Sequence, residues 1–474
     1  MINLKDIVSA LTGHNRPLLD LPIRSVVIDS RQAGEGSLFI ALPGEHVDGH
    51  DFIQSAFNNG AMLALTDKDL PGEFNVIDLR QAEFQPHLLS EMVLPTCLRV
   101  EHSLAALQAL ATHWRQVHPL RTVGITGSVG KTSTKELTAA LLSQKYSVLK
   151  NPGNRNNEIG LPLTLLELEP QHERAVLEMG FYVPGEIKTL CEIAQPHVGV
   201  VTNIGMVHAE RAGSQAVIAE GKAELVAALP PAPQGVAILN MDDPWVRKMA
   251  EKTQAQVFSY GIKEDSDLKA KEIQTHGLDG ISCVLSMEGE DHAIRSPLLG
   301  AFSVYTLLSA VAVALTEGLD WQTITTGLAT SHLDLRLHPL RLTDGTIILD
   351  DTYNASPTST IAALELLQGL KGRRVAILGD MLELGPYEYS GHQSVGRVAA
   401  NTADALILIG ERTKIIAETA LENGIPTDQV HWFSNANQAA EQISDLIRPG
   451  DVVLIKGSNM MRMDRILSVL KGGL

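Results

Sequence analysis

Short apolar runs broken by Gly, Asp and Pro open the chain, as in "SVVIDS" and "SLFIAL", with one helical pattern near "HDFIQSAFNNGA". Runs bounded this way predict strands, so residues 1–98 read as a small α/β domain. A helical stretch, "EHSLAALQALATHW", then leads into the strand "RTVGIT", a glycine-rich turn and the helix "TKELTAALLSQ". The apolar runs "AVLEM", "VGVVTNI" and "GVAILN" follow, with helical patterns such as "GSQAVIAEGKAELVAAL" between several of them. Strands apolar throughout belong in a sheet covered on both faces, and strand–helix alternation makes that sheet mostly parallel. The polar, turn-rich stretch 262–297 predicts an antiparallel excursion inside this middle region, 99–332. From 333 to 474 the rhythm restarts: "TIILDD", "STIAALELLQGL", "RRVAILGD", "ADALILIG", "DVVLIKGS". The expected fold class is α/β in three domains: a small N-terminal one, a central one with a mostly parallel sheet, and a C-terminal Rossmann-like one.

Length and charge narrow the functions available. A chain of 474 residues exceeds what one core organises. Its 38 basic residues face 55 acidic ones, for a formal charge of −17. That balance argues against a nucleic-acid or anionic-membrane surface, and leaves room for local basic clefts that take phosphorylated small molecules. Cys97, Cys191 and Cys283 lie far apart without a paired spacing, and read as buried thiols in a reducing compartment. "MINLKDIVSALTG" has no basic segment followed by an apolar core, and "VYTLLSAVAVAL" is too short to span a bilayer. A cytoplasmic location is expected.

The glycine-rich turn reads "GITGSVGKTST". Against the general nucleoside-triphosphate pattern GxxxxGK[ST], the first position falls on Ile125 rather than glycine. Gly124, Thr126, Gly127, Gly130, Lys131 and Thr132 remain. Small residues let consecutive N–H groups turn inward around a phosphate, and the following helix presents its positive end. Lys131 can neutralise terminal phosphates and Thr132 offers a hydroxyl to Mg²⁺. A plain strand-to-helix turn needs neither, so phosphate binding is the reading. The loop does not name a reaction, although the absence of an NKxD stretch weakens a guanine-specific switch.

Three further residues could choose the chemistry. Glu178 ends the strand in "RAVLEMG", where a carboxylate could place Mg²⁺. His208 lies just past another strand end in "VVTNIGMVHAERAGS". Lys222, in "IAEGKAEL", falls on a helical pattern whose ordinary reading is a solvated lysine. None stands unaided.

Together they resemble the Mur ligase family, the ATP-dependent amide-forming enzymes of bacterial cell-wall precursor synthesis. "GITGSVGKTST" looks like that family's variant loop, and "LEMG", "TNIGMVHAERAGS", "EGKAEL" and "LNMDDP" follow in the family's order. "ILDDTYNASPTST" and "LIKGS" extend the resemblance over nearly the whole chain. Within the family, "NPGNRNNEIGLPLTLLEL", "LEMGFYVPGEI" and "LGDMLELGPYEYSGHQSVG" resemble the members that add D-alanyl-D-alanine to UDP-N-acetylmuramoyl-tripeptide. "DSRQAGEGSLFIALPGEHVDGHDFI" resembles a uridine-nucleotide-binding domain. The D-N-P-R stretch of the diaminopimelate-adding members is missing.

The resemblance implies roles residue by residue. Gly127, Ser128, Val129, Gly130, Lys131, Thr132 and Ser133 would hold the ATP phosphates, with Arg336 and Asp351 also near the nucleotide. Thr132 and Glu178 would ligate one Mg²⁺; His208 and Lys222, the latter as an N-carboxylated side chain, would place a second. Lys131, His208 and Lys222 would be catalytic. Ser30, Arg31, Asp48 and His50 would meet the uridine nucleotide, Asn154 and Asn157 would border the substrate, and Tyr353, Asn354 and Lys456 would face the nucleotide or the incoming dipeptide. A monomer that closes its domains over the acyl phosphate is expected. One departure stands out: many relatives carry a His-Asn pair and a later Asn after the glycine matching Gly300, where this chain has Phe302, Ser303 and Thr306. A sister ligase with another amine, or a catalytically silent relative, are the alternatives.

Overall fold

The uninterrupted apolar runs are buried parallel strands in the computed structural model, which describes residues 1–14, 20–44, 46–80, 86–89, 92–206, 209–330 and 337–472. The chain divides into two units: Met1–Gly124 with Tyr146–Gly180 and Lys188–Pro196, and Ile125–Lys145 with Phe181–Ile187 and His197–Leu474.

In the first unit five strands pair in parallel, in the order Ser25–Val27, Ser37–Ile40, Ala61–Thr66, Thr96–Arg99, Val76–Asp78. The helix Leu4–Thr12 starts at a reciprocal cap. Asp6 N–H donates to Asn3 Oδ1 at 3.1 Å and Asn3 N–H donates to Asp6 Oδ2 at 2.9 Å, satisfying donors the helix itself cannot. The helix Ser103–Gln116 is tied to this sheet at its start, where Ser103 N–H donates to Asp67 Oδ2 at 2.9 Å. Further along, Arg174–Glu178 pairs in parallel with Val148–Lys150.

In the second unit one set of strands runs Val198–Val201, Val236–Asn240, Gln256–Gly261, Leu268–Thr275, in parallel. The hairpins Leu268–Thr275, Ile281–Met287 and Glu290–Ser296 then pair antiparallel, the expected excursion. The second set runs His338–Arg341, Ile347–Asp351, Val452–Lys456, Arg374–Gly379, Ala405–Ile409, Val430–Phe433, parallel except at its first edge. Side chains alternate between its faces. Leu349, Leu378, Leu406 and Leu454 enter one core with Leu364 and Val395, while Ile348, Ile377, Ile407 and Ile455 enter the other with Ile443 and Ile466. Both faces are covered, which is why these strands read as continuous apolar runs. Their C-terminal ends, at Asp351 and Lys456, are where polar groups emerge.

Among the described residues no helix is long and apolar enough to cross a membrane. Cys97, Cys191 and Cys283 are all buried free thiols, as expected.

Candidate functional site

The glycine loop owes its shape to two backbone positions and one amide side chain. Gly127 has φ +144° and Gly130 φ +89°, and a Cβ built on Gly127 would stand 1.9 Å from Thr202 Oγ1. Any side chain there must displace Thr202, whose hydroxyl donates to Val129 O at 2.7 Å. Asn203 clasps the loop tip on both sides: its Nδ2 donates to Val129 O at 2.8 Å and its Oδ1 accepts from Val129 N–H at 3.0 Å. Ser128 Oγ accepts from Gly205 N–H at 2.8 Å. The loop is thus set before any ligand arrives. It opens into the helix Lys131–Leu142, whose first turn carries Thr132 and Ser133. Lys131 Nζ donates to Gly127 O at 2.8 Å, so its charge sits over the mouth of the loop.

A cavity starts at this loop, with Ser128, Val129, Gly130, Lys131, Thr132 and Ser133 along one side. Leu298, Leu299, Phe302, Leu337 and Leu366 form an apolar wall, and Asp351, Asn354, Ser356 and Lys456 close it from the strand ends of the last sheet. Lys456 is buried, and its Nζ donates to Asp351 Oδ2 at 2.6 Å and to Asn354 O at 2.8 Å. Asp351 and Asn354, expected near the nucleotide or dipeptide, therefore meet Lys456, which lies 105 and 102 positions further along the chain. Tyr353 does not join them in the lining; it is 40% exposed. Arg336 lies outside the described residues.

Lys222 overturns the reading its helical periodicity suggests. It sits on Gln215–Ala227, a helix started by Ser214, whose Oγ accepts from Val217 N–H at 3.3 Å. Instead of reaching solvent the lysine is 1% exposed, because this helix is buried around most of its circumference by Ile218, Ala219, Ala223, Leu225 and Val226. Gly221 leaves room for Phe181, and Lys222 Nζ lies 4.7 Å from the centroid of that ring. Among the described residues the amine makes no hydrogen bond or ion pair. Burial, and then the charge of Lys131, hold it well below the usual lysine range, opposed by Glu186. Burial thus favours the neutral form of an amine that feels the charge of Lys131 at the glycine loop.

Glu178, in the first unit, is also buried, and one oxygen is fixed by Asn156 Nδ2 at 2.8 Å. Asn151 brackets its backbone: Glu178 N–H donates to Asn151 Oδ1 at 2.9 Å and Asn151 Nδ2 donates to Glu178 O at 3.0 Å. Sequence reasoning chose Asn154 and Asn157 from this segment. Asn157 Oδ1 instead accepts from Gly160 N–H at 2.8 Å and so caps the helix Gly160–Leu165, while Asn154 accepts from Asn156 N–H at 2.7 Å through its backbone. Asn151, Asn156 and Asn203 were missed, although the dense asparagines of "NPGNRNN" and the "TN" after a buried strand were the available signal.

The N-terminal candidates are engaged with one another. Arg31 makes a two-pronged pair with Asp29, at 2.9 and 2.8 Å, on the surface. Ser30 is buried and starts the turn that Asp29 caps. His50 is held between Asp48 Oδ1 at 2.6 Å and Asp67 Oδ1 at 2.9 Å, and Lys68 pairs with the other oxygen of Asp48. No group of three His, Cys, Asp or Glu side chains placed to hold a metal ion is found among the described residues, and His208 lies outside them. Of the expected metal set, Thr132, Glu178 and Lys222 are described. Their chemistry fits: a helix-start hydroxyl, an oriented buried carboxylate, and a buried amine whose neutral form, the one that adds CO₂, is favoured.

Comparison with known proteins finds matches along almost the whole chain. Three family profiles match: "Mur ligase family, catalytic domain" over residues 22–115, "Mur ligase middle domain" over 125–314, and "Mur ligase, glutamate ligase domain" over 335–459. The UDP-N-acetylmuramoyl-tripeptide–D-alanyl-D-alanine ligase of Synechocystis sp. is 37% identical, the match covering 95% of this chain and 92% of that one. The crystal structure of MurF from Acinetobacter baumannii superposes with a TM-score of 0.84 at 29% identity, over 99% of this chain and 98% of that one. MurF ligase from Thermotoga maritima in complex with ADP gives 0.79 at 28% identity, over 95% and 98%. A phosphate-loop motif, a buried lysine and full-length agreement of sequence and fold lead to one conclusion: this chain belongs to the Mur ligase family.

Proposed function

We propose that the protein is the ATP-dependent ligase that joins D-alanyl-D-alanine to UDP-N-acetylmuramoyl-tripeptide, forming UDP-N-acetylmuramoyl-pentapeptide, ADP and phosphate for peptidoglycan synthesis. One observation carries the reading: relatives of that name match along almost the entire chain, not over the phosphate-loop region alone. The working division is three domains, 1–98, 99–332 and 333–474, supported by their separate sheets.

A carboxylate cannot form an amide directly, because hydroxide leaves too poorly. The peptide's terminal carboxylate oxygen attacks the γ-phosphorus of ATP, the bond to the β-phosphate breaks, and an acyl phosphate and ADP result. The dipeptide amine then attacks the acyl carbon, and phosphate departs from the tetrahedral adduct. The first step opposes like charges. At ~4 Å and an effective dielectric near 20, each pair repels by about 4 kcal/mol. Lys131 relieves part of this by leaving Gly127 O for the terminal phosphates. Asn203 fixes the loop through Val129, which leaves the loop's other N–H groups to hold the phosphates without reorganising.

Two Mg²⁺ ions, held by Thr132 and Glu178 and by His208 with carboxylated Lys222, would neutralise the triphosphate and stabilise charge developing during transfer. The fit rests on Lys222. An amine held towards its neutral form repels neither Lys131 nor a divalent cation as an ammonium would, and a neutral amine can take up CO₂ to become an anion. On the last sheet, Lys456 and Asn354 would orient nucleotide or dipeptide, with Asp351 fixing Lys456. Arg31 would exchange Asp29 for a phosphate of the uridine nucleotide, with Ser30, Asp48 and His50 shaping the surface around it.

Phosphate release tests the proposal, with UDP-tripeptide, ATP and Mg²⁺ present. Release that requires D-alanyl-D-alanine and yields pentapeptide supports it. Equal release with glutamate or another single amino acid assigns a sister ligase instead.

A further inference from the structure

We infer that the base end of the cavity does not select between amino- and oxo-purines, so that ITP and GTP support ligation alongside ATP. The inference rests on the reading of this cavity as a nucleoside-triphosphate site. With phosphates at the glycine loop, the nucleoside extends into the rest of the same cavity, along the start of the helix Ser303–Thr316. That helix touches the loop: Thr306 Oγ1 is 3.6 Å from where a Cβ on Gly130 would stand.

The wall offered to a base is apolar and aromatic, made by Phe302, Leu298, Leu299 and Leu366. Phe302 lies edge-on to Tyr305, with centroids 5.7 Å apart, and Tyr305 OH donates to Asp242 Oδ2 at 2.9 Å. The ring is therefore a placed surface. Stacking on such a surface is tolerant, because every base has a π-face.

Selectivity needs polar groups that the wrong base leaves unpaired. Among the described residues, the polar side chains here are largely engaged with the protein itself. Ser303 Oγ donates to Gly300 O at 2.6 Å, Ser356 and Ser359 pair with each other at 3.0 Å, and Asp351 is taken by Lys456. Asn354 spends its acceptor oxygen on Ala355 N–H at 2.9 Å, so it offers a base a donor but no fixed acceptor for the amino group of adenine. The hydroxyl of Thr306 is a rotor that donates or accepts as required, and that of Ser303 does the same once released from Gly300 O, so they meet the amino group of adenine or the oxo group of hypoxanthine equally. A carboxamide at either position would present a fixed donor and acceptor.

The test compares kcat/KM for ATP, ITP and GTP in pentapeptide formation by the full chain, and the Kd of ADP and IDP measured without peptide substrates. ITP and GTP are expected within about tenfold of ATP, with Ser303→Asn widening the ATP/ITP and ADP/IDP ratios by about tenfold. A larger preference for ATP and ADP in the unaltered protein overturns the inference, whether or not the variant folds. Failure of ligation with every nucleotide would instead strike the proposed function, and the ADP/IDP ratio would still decide this point.

Discussion

Lys222 is a lysine that folding takes out of water without giving it a carboxylate. Burial, and then the proximity of Lys131, hold its pKa well below the usual lysine range and favour the neutral form that the proposed reaction with CO₂ requires. Lys222→Ala is expected to lose most turnover, and short-chain carboxylic acids to restore part of it by occupying the vacated space. A bicarbonate-derived carbamate resonance should be seen by ¹³C NMR in the unaltered protein and be absent from the variant. A fully active variant would refute the role. The lysine itself was legible in "EGKAEL", but its burial was not, since periodicity reports one helix face and this helix is covered on several. Asn203 is a different case. Its clasp on Val129 joins positions 74 apart, and nothing local marks an asparagine for such a task. Asn203→Ala should raise KM for ATP about tenfold through loss of loop order, with the KM of the dipeptide little changed.

At the scale of elements, the strands were legible because sheets covered on both faces demand continuous apolar runs, and the hairpins at 268–296 because turn residues interrupt them. What joins the elements was not legible. Asp242, which follows the strand Val236–Asn240, accepts from the N–H groups of Ile262 at 2.7 Å and Glu264 at 2.8 Å, from Lys263, and from Tyr305 OH. It thereby ties a strand end, a loop and the helix that carries Phe302. Burial pushes its carboxyl pKa up, but these donors outweigh burial and hold it below the usual carboxylate value. A depressed folded pKa means the native state releases this proton more readily than the unfolded chain. The stabilisation is complete above about pH 4 and is lost as pH falls towards the folded value. Asp242→Asn should lower unfolding free energy by about 1–3 kcal/mol at neutral pH, with a smaller difference from the unaltered protein in more acid solution. Denaturant titrations across that range measure it. A difference independent of pH would contradict the network.

At the scale of the molecule, the motifs of the sequence are scattered from position 29 to 457, and folding gathers part of them. The glycine loop, Asp351, Asn354 and Lys456 share one cavity, and Lys222 stands beside Lys131. Their order along the chain pointed to the family; which of them meet is set by strand ends brought together from distant segments, as with Asp351 and Lys456 in paired strands. The assembly has a single chemical purpose, to let a carboxylate and a triphosphate react. Ligation with tripeptide whose terminal carboxylate carries heavy-oxygen label tests this most directly. The account predicts that one labelled oxygen leaves with each phosphate, transferred when the acyl phosphate forms and is cleaved. Phosphate released without label, alongside full pentapeptide formation, would contradict it.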